Sequence, residues 1–397
     1  MMYKAIVSRI REIYGTNAFI GLHEPKFLGN EKKYLLDAID STYVSSVGEY
    51  VNRFEAMICK LSGASHAVAI VNGTAALHIS MIIAGVEPGD EVITQALTFV
   101  ATANAIRYCG ADPVFVDVDR DTLGLSPVAL ENFLEQNAER DHSGACRNKR
   151  TKRRISACIP MHTFGHPCRI DAIVAVCDRY GIRVVEDAAE SIGSSFKGKQ
   201  TGTFGLCGIY SFNGNKTITC GGGGAVITNH DAIARRTKHL TTTAKQPHPY
   251  EFYHDEIGYN YRLPNLNAAL ACAQVEQLEA FIARKRWLAE TYASFFDRIG
   301  ILFVREPKDA RSNCWLNAII LPSLEARNEF LRVTNDAGVM TRPIWRLMNS
   351  LPMFSKCLND GLENSRWLEE RVVNIPSSVV AEATEKPAAV SGERAAH

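Results

Sequence analysis

From about residue 66 to residue 228 the sequence alternates short apolar runs with longer amphipathic ones, and this alternation narrows the possible folds most. Ala67–Val71, Glu91–Thr94, Pro113–Val118, Ile155–Met161 and Val184–Glu186 read as strands. Thr74–Ala84, Val100–Tyr108, Pro127–Gln136 and Ile170–Tyr180 read as the helices between them. Strands joined through helices cannot pair as tight hairpins, so the spacing predicts an α/β fold with a large, mostly parallel sheet. Gly205–Phe212 and Gly224–Thr228 then read as strands with no helix between them. A long helix over about 266–296 follows. Strand-like Ile301–Val304 and Leu316–Leu321 and a helix over Leu324–Ala337 come next, and together they predict a smaller α+β domain. The expected division is 17–262 for the large domain, 263–380 for the long helix and small domain, and 381–397 for a frayed tail rich in Ala and Glu.

Such a chain can bury a large core. It has 397 residues, 46% of them hydrophobic. Forty-four basic residues against 43 acidic ones give a net charge of +1, which argues against a generic nucleic-acid binder and against disorder. No run approaches the ~18 apolar residues of a membrane helix. Residues Met1 to Ile13 mix Lys4, Arg9, Arg11 and Glu12 among apolar residues and lack a signal-peptide core. Eleven scattered cysteines, none spaced C-x-x-C, read as buried reduced thiols of a cytoplasmic protein. His162, His166 and Cys168 lie close in sequence, but no second ligand cluster accompanies them, so no metal site is expected. The stretch 147–154 carries Arg147, Lys149, Arg150, Lys152, Arg153 and Arg154 and reads as a solvated surface loop rather than a nucleic-acid patch.

Three features fall at the carboxyl ends of strands, where open α/β sheets bind ligands. In Val71-Asn72-Gly73-Thr74-Ala75 a glycine turn opens a helix, whose free N–H groups suit one phosphate. Alone, Gly-Thr is also an ordinary helix start. In Val184-Val185-Glu186-Asp187 two carboxylates end an apolar strand. A buried acid there needs a cation, a hydrogen-bond donor or a proton, and helix capping is the plainer alternative. In Tyr210-Ser211-Phe212-Asn213-Gly214-Asn215-Lys216 a lysine sits on a polar turn, and Gly221 to Gly224 follow it. Four glycines weaken a strand, so they point to close backbone approach, and a lysine held there is a candidate Schiff-base nucleophile. Taken alone it would be a surface hairpin lysine. Phosphate cradle, acid and lysine together are the set that pyridoxal 5'-phosphate (PLP) requires.

With these segments in hand, the chain resembles the DegT/DnrJ/StrS family of PLP-dependent sugar aminotransferases, which have the aspartate-aminotransferase (fold type I) architecture. The resemblance runs over about 17–378 and rests on NGTAAL, QALTFVATANAI, VVEDAAESIG, YSFNGNKTITCGGGGAVIT and GYNYRLPNLNAAL. HEPKFLGNEKKYLLDAIDSTYVSSVG and IPMHTFGHPCRID look most like the branch that aminates UDP-linked 4-keto-6-deoxy sugars toward legionaminic-acid-type products. The resemblance implies Lys216 as the Schiff-base lysine, Asp187 as partner of the pyridinium nitrogen, and Gly73, Thr74 and Ser211 on the phosphate. It implies Phe99 against the cofactor ring and Asn260 reaching the phosphate of a neighbouring subunit, hence a homodimer. Glu190 stands where relatives often carry His or Gln. His162 and Ser46 would border the sugar. Arg262, Lys26, Arg342 and Arg346 are candidates for the nucleotide diphosphate. The implied reaction moves an amino group from L-glutamate to a C4 ketone, in the biosynthesis of cell-surface or glycan amino sugars. Two other readings stand beside it. One is a PLP-type sugar dehydratase, whose family members replace the lysine with histidine. The other is a non-catalytic binding or regulatory protein on the same fold.

Overall fold

The computed structural model describes residues 2–380, so the tail expected over 381–397 lies outside the described residues. Helices α1 (Met2–Tyr14), α2 (Glu31–Asp40) and α3 (Glu49–Ser62) precede the alternating region. There β1 (His66–Ile70), β2 (Glu91–Gln95), β3 (Asp112–Val116), β4 (Ile155–Ile159), β5 (Arg183–Asp187), β6 (Cys207–Ser211) and β7 (Gly224–Thr228) form one seven-stranded sheet. Its order is β1-β7-β6-β5-β4-β2-β3. Every pairing is parallel except those of β7, which runs antiparallel to both β1 and β6. The expected mostly parallel sheet is therefore present, and its reversed strand is one of the two that sequence reading left without a helix between them.

The crossover helices are α4 (Gly73–Ile83), α5 (Val100–Tyr108), α6 (Pro127–Asn137) and α7 (Ile170–Tyr180), with α8 (Asp231–Thr241) after β7. Local chemistry starts them where they start. Asn72 caps α4 by accepting the Ala75 amide, and Ser126 caps α6 ahead of a proline at its first turn. Apolar residues of β1, β2, β4, β5, β6 and β7 pack with α4 and α5 into one core, and Ile93, Val114, Cys158 and Val184 join α6 and α7 in another.

Helix α9 (Asn265–Arg298) has 34 residues, about 51 Å at 1.5 Å per residue. Ala268, Ala269 and Cys272 bury against α2 and α3, while Leu288, Tyr292 and Phe296 lie in the core of the second domain. That domain carries β8 (Leu302–Phe303), β9 (Asn317–Ile320), α10 (Leu324–Asp336), β10 (Arg342–Pro343) and β11 (Val372–Ile375), with sheet order β8-β9-β11-β10. Helix α1 packs there too: Ile6, Val7 and Ile10 share its core with Phe330 and Val373. Helix α1 thus shares one core with residues from the second half of the chain.

The basic stretch is the surface loop expected: it leaves a short hairpin, Ala138–Arg140 against Cys146–Asn148, and Lys149, Arg150, Lys152 and Arg153 are exposed. Four of its cations meet carboxylates: Arg147 with Asp141, Lys152 with Glu139, Arg153 with Asp112 and Arg154 with Asp90. Local acids therefore take up much of the charge that a phosphate backbone would need. All eleven cysteines are unpaired, and no helix among the described residues is long and apolar enough to cross a membrane.

Candidate active site

Strands β1, β2, β4, β5 and β6 run in the same direction, so their carboxyl ends share one edge of the sheet. Gly73 follows β1, Asp187 ends β5 and Ser211 ends β6 on that edge. Gly73 and Ser211 almost touch. A Cβ at Gly73 would lie 2.9 Å from the Ser211 Cβ, and one at Gly224 would lie 2.7 Å from the Asn72 carbonyl carbon. Glycine is needed at both positions for the strand ends to come this close. The first N–H groups of α4 have no partner one turn back, and Asn72 takes up that of Ala75. The amides of Gly73 and Thr74 and the Ser211 hydroxyl therefore border a cradle suited to a phosphate.

The two acids of β5 face opposite sides, as neighbours on a strand must. Glu186 is fully buried and saturated. Its Oε1 accepts from the amides of Phe204 (2.5 Å) and Gly205 (2.8 Å), and its Oε2 from Gly202 (2.7 Å), with His162 Nε2 at 3.1 Å. Asp187 has less. Thr102 Oγ1 donates to its Oδ2 at 2.7 Å and the Ala189 amide to its Oδ1 at 3.2 Å. Burial pushes its carboxyl upward, while Thr102, Ala189 and the charges of Lys216 and His162 pull it back. A buried carboxylate with no ion-pair partner at contact distance among the described residues is a ready acceptor for a ring N–H⁺.

Lys216 follows β6 on its polar turn, its side chain 12% exposed. Nζ lies 3.2 Å from Glu190 Oε1 and 4.2 Å from the centre of the Trp315 ring. Burial pushes Glu190 up to about 7, against the opposing pull of Lys216 and of the Phe164 amide. The resemblance puts Glu190 beside the cofactor without giving its carboxyl a role, whereas Asn313 and Trp315, about a hundred residues beyond Lys216, carry no local signal. Asn313 is buried and donates to the carbonyls of Glu190 and Ile192, both at 2.9 Å, and to Thr217 Oγ1 at 3.3 Å. Trp315 Nε1 donates to the Asn215 carbonyl at 2.7 Å, one residue before the lysine. Thr102 had a local signal: it lies three residues past Phe99, one turn into α5. His23 packs near Trp315, at 6.4 Å between ring centres, and both its nitrogens are buried without a hydrogen-bond partner among the described residues.

Other expected site residues fall differently. Phe99 precedes α5 and is 47% exposed, 6.3 Å from the Trp345 ring. His162 is fully buried on the side of Glu186: Nδ1 accepts the Cys168 amide at 3.2 Å and Nε2 meets Glu186 at 3.1 Å, so both ring nitrogens are engaged within the chain. Ser46 sits in the loop before α3 that is anchored to α9, where the Asn265 amide donates to the Ser45 carbonyl. Asn260 is exposed, and the Arg262 backbone bridges Ile70 at the end of β1, with its Nε buried and without a hydrogen-bond partner among the described residues. Arg342 is exposed on β10 and bonds Asn335 and the Thr341 carbonyl. No hydrogen bond or ion pair among the described residues ties Ser46, Asn260, Arg262 or Arg342 to Lys216, Asp187 or Glu190.

The family model of the DegT/DnrJ/EryC1/StrS aminotransferases matches residues 26–389. GDP-perosamine synthase of Escherichia coli O157:H7 is 36% identical over 361 residues, covering 90% of this chain and 93% of that protein. DesV of S. venezuelae, solved in complex with a ketimine intermediate, is 27% identical with a TM-score of 0.77, covering 88% of this chain and 89% of that one. DesI, solved in the presence of its TDP-sugar product, is 25% identical with a TM-score of 0.78, covering 92% and 90%. The chain belongs to the DegT/DnrJ/EryC1/StrS aminotransferase family and is a PLP-dependent aminotransferase of the fold type I architecture.

Proposed function

We propose that this enzyme transfers an amino group from L-glutamate to the C4 ketone of a nucleotide-linked 4-keto-6-deoxy sugar, in the biosynthesis of cell-surface or glycan amino sugars. The observation that carries the reading is the meeting of Lys216, Asp187 and the Gly73–Ser211 cradle at one sheet edge. UDP is the nucleotide expected from sequence, whereas relatives are named for GDP-linked and TDP-linked sugars. A nucleoside diphosphate is the part these have in common.

The bound cofactor supplies an electron sink for the carbon that carries the amino group. The chain's own groups do the rest. Gly73, Thr74 and Ser211 would hold the phosphate, and Phe99 would lie against the ring. Asp187 keeps the ring nitrogen protonated, and that cation in turn offsets the cost of burying the carboxylate. Lys216 holds the cofactor between turnovers. As a free amine it would take up and return the proton of the substrate carbon, the task of a general acid–base. Arg262, whose backbone bridges Ile70 at the end of β1 and whose Nε is buried with no hydrogen-bond partner among the described residues, is the best supported of the arginines for an anionic group. The reading includes a homodimer in which Asn260 serves the neighbouring site. Its support is the exposed apolar surface at Val47, Phe252 and Ile257, which are 65%, 80% and 85% exposed in the single chain.

The test is a visible absorption spectrum before and after adding L-glutamate, followed by UDP-, GDP- and TDP-linked 4-keto-6-deoxy sugars. The cofactor band is expected to bleach with glutamate and return with one of the sugars. A band that ignores glutamate, or returns with none of the sugars, contradicts the proposed donor or acceptor respectively.

A further inference from the structure

Lys216 must shed a proton before it can act. An amine attacks a carbonyl or removes a proton only as the neutral base, and an ordinary lysine keeps its proton until well above neutral pH. Its Nζ has two close neighbours. The face of Trp315 favours the cation and accepts no proton. Oε1 of Glu190, at 3.2 Å, is within direct transfer distance.

Glu190 is held for that task from several sides. It is 2% exposed, so water does not screen it. Its Oε2 is occupied by the Phe164 amide at 2.9 Å, which leaves Oε1 for Lys216. Phe164 aims that amide from a left-handed conformation, with φ of 58°, a geometry that bulky residues rarely adopt. Asn313 clamps the Glu190 carbonyl and the Thr217 hydroxyl together, so acid and lysine share one anchor. Two other titratable groups bear on the pair. Asp187 disfavours charge on Glu190, and His23 is kept neutral by burial and by the charges of Lys285 and Lys216.

We propose that Glu190 is the base that takes the ammonium proton of Lys216. One N–H bond breaks at Nζ and one O–H bond forms at Oε1. The pair passes from ammonium and carboxylate to amine and carboxylic acid without exchanging a proton with solvent. The inference rests on Lys216 being the lysine that takes the cofactor. The upward shift of the Glu190 carboxyl by burial brings the two groups closer to a match than an exposed glutamate would be.

The pair has a distinctive pH signature. Between the two titrations it holds one proton, so the fraction present as amine and acid does not change with pH. Without the acid, the amine forms only by releasing a proton to solvent, and its fraction rises about tenfold per pH unit. The experiment adds PLP to cofactor-free protein and follows the rate at which the visible band appears, from about pH 7 to 9, in the wild type, E190Q, E190D and K216A. The wild-type rate is expected to vary less than about twofold across the range. The E190Q rate is expected to be at least about tenfold lower at neutral pH and to climb about tenfold per unit, with E190D keeping a shallow slope. A wild-type rate that itself climbs about tenfold per unit overturns the proposal even if E190Q does not fold, and so does one slope shared by wild type and E190Q. A band that still forms in K216A overturns the assignment of Lys216 instead, which keeps the two failures apart.

Discussion

Glu186 and Asp187 are neighbours on one strand, yet they sit in opposite situations. On one side Glu186 is saturated by three backbone amides and His162, and it stitches the turn at 202–205 to the strand. On the other, Asp187 has one hydroxyl and one amide and lies within the field of Lys216. Both are buried. A saturated acid is fixed in place and has nothing left to offer a ligand. An acid left short of partners is costly until a cation arrives, and that shortage is what marks a binding site.

The sharpest break between the sides comes from the lysine. K216A is expected to lower turnover by about 10²–10⁴-fold or more with the fold kept, measured as glutamate-dependent bleaching alongside circular dichroism. Next, D187N and E186Q should separate cleanly. D187N is expected to lose cofactor retention and rate while its unfolding midpoint without cofactor stays near wild type. E186Q is expected to lose about 3–5 kcal/mol of stability, because one side of a buried, hydrogen-bonded set is removed, while its folded fraction still binds PLP. Denaturant titration and cofactor titration of both variants decide it, and the reverse pattern would dissolve the distinction. H162Q should follow E186Q, costing about 1–3 kcal/mol of stability with little change in the sugar KM.

The Glu190 carboxyl, raised to about 7 from an ordinary 4.5, gives a pH effect on the cofactor-free protein. The folded state holds that proton more tightly than the unfolded state. Its contribution is therefore complete below about 4.5 and is lost as pH rises through about 7. E190Q should flatten that part of the stability profile. The smallest effect is expected at the hairpin. R147A and K152A remove exposed ion pairs and should each cost no more than about 1 kcal/mol.

Local sequence carried much of this. The strands and crossover helices of the large domain lie within a residue or two of their expected places, because alternation and caps such as Asn72 and Ser126 are written locally. Gly73, Asp187 and Lys216 were legible for the same reason: each sits at a strand end with a turn beside it. What was not legible depends on long-range packing. Nothing near Lys216 names Asn313 or Trp315, and only the folded chain brings Glu190 to its amine. The sequence His162-x-x-x-His166-x-Cys168 does not say which side of the edge the imidazole takes, and the partner that decides it, Glu186, is 24 residues away. The small domain hid its first helix because α1 reaches it from the far end of the chain.

Two lysines compete for the central role. Lys285 on α9 is fully buried, donates to the Ser377 carbonyl at 2.6 Å, and is lowered by burial to about 7, which would make it a nucleophile if a carbonyl reached it. Lys216 alone combines partial exposure with the cradle and the two acids. Reducing the cofactor-loaded protein with borohydride, digesting it and mapping the peptides by mass spectrometry tests this directly. The account predicts the phosphopyridoxyl group on Lys216 and on no other lysine. Finding it on Lys285, or on any lysine outside the turn after β6, would contradict it.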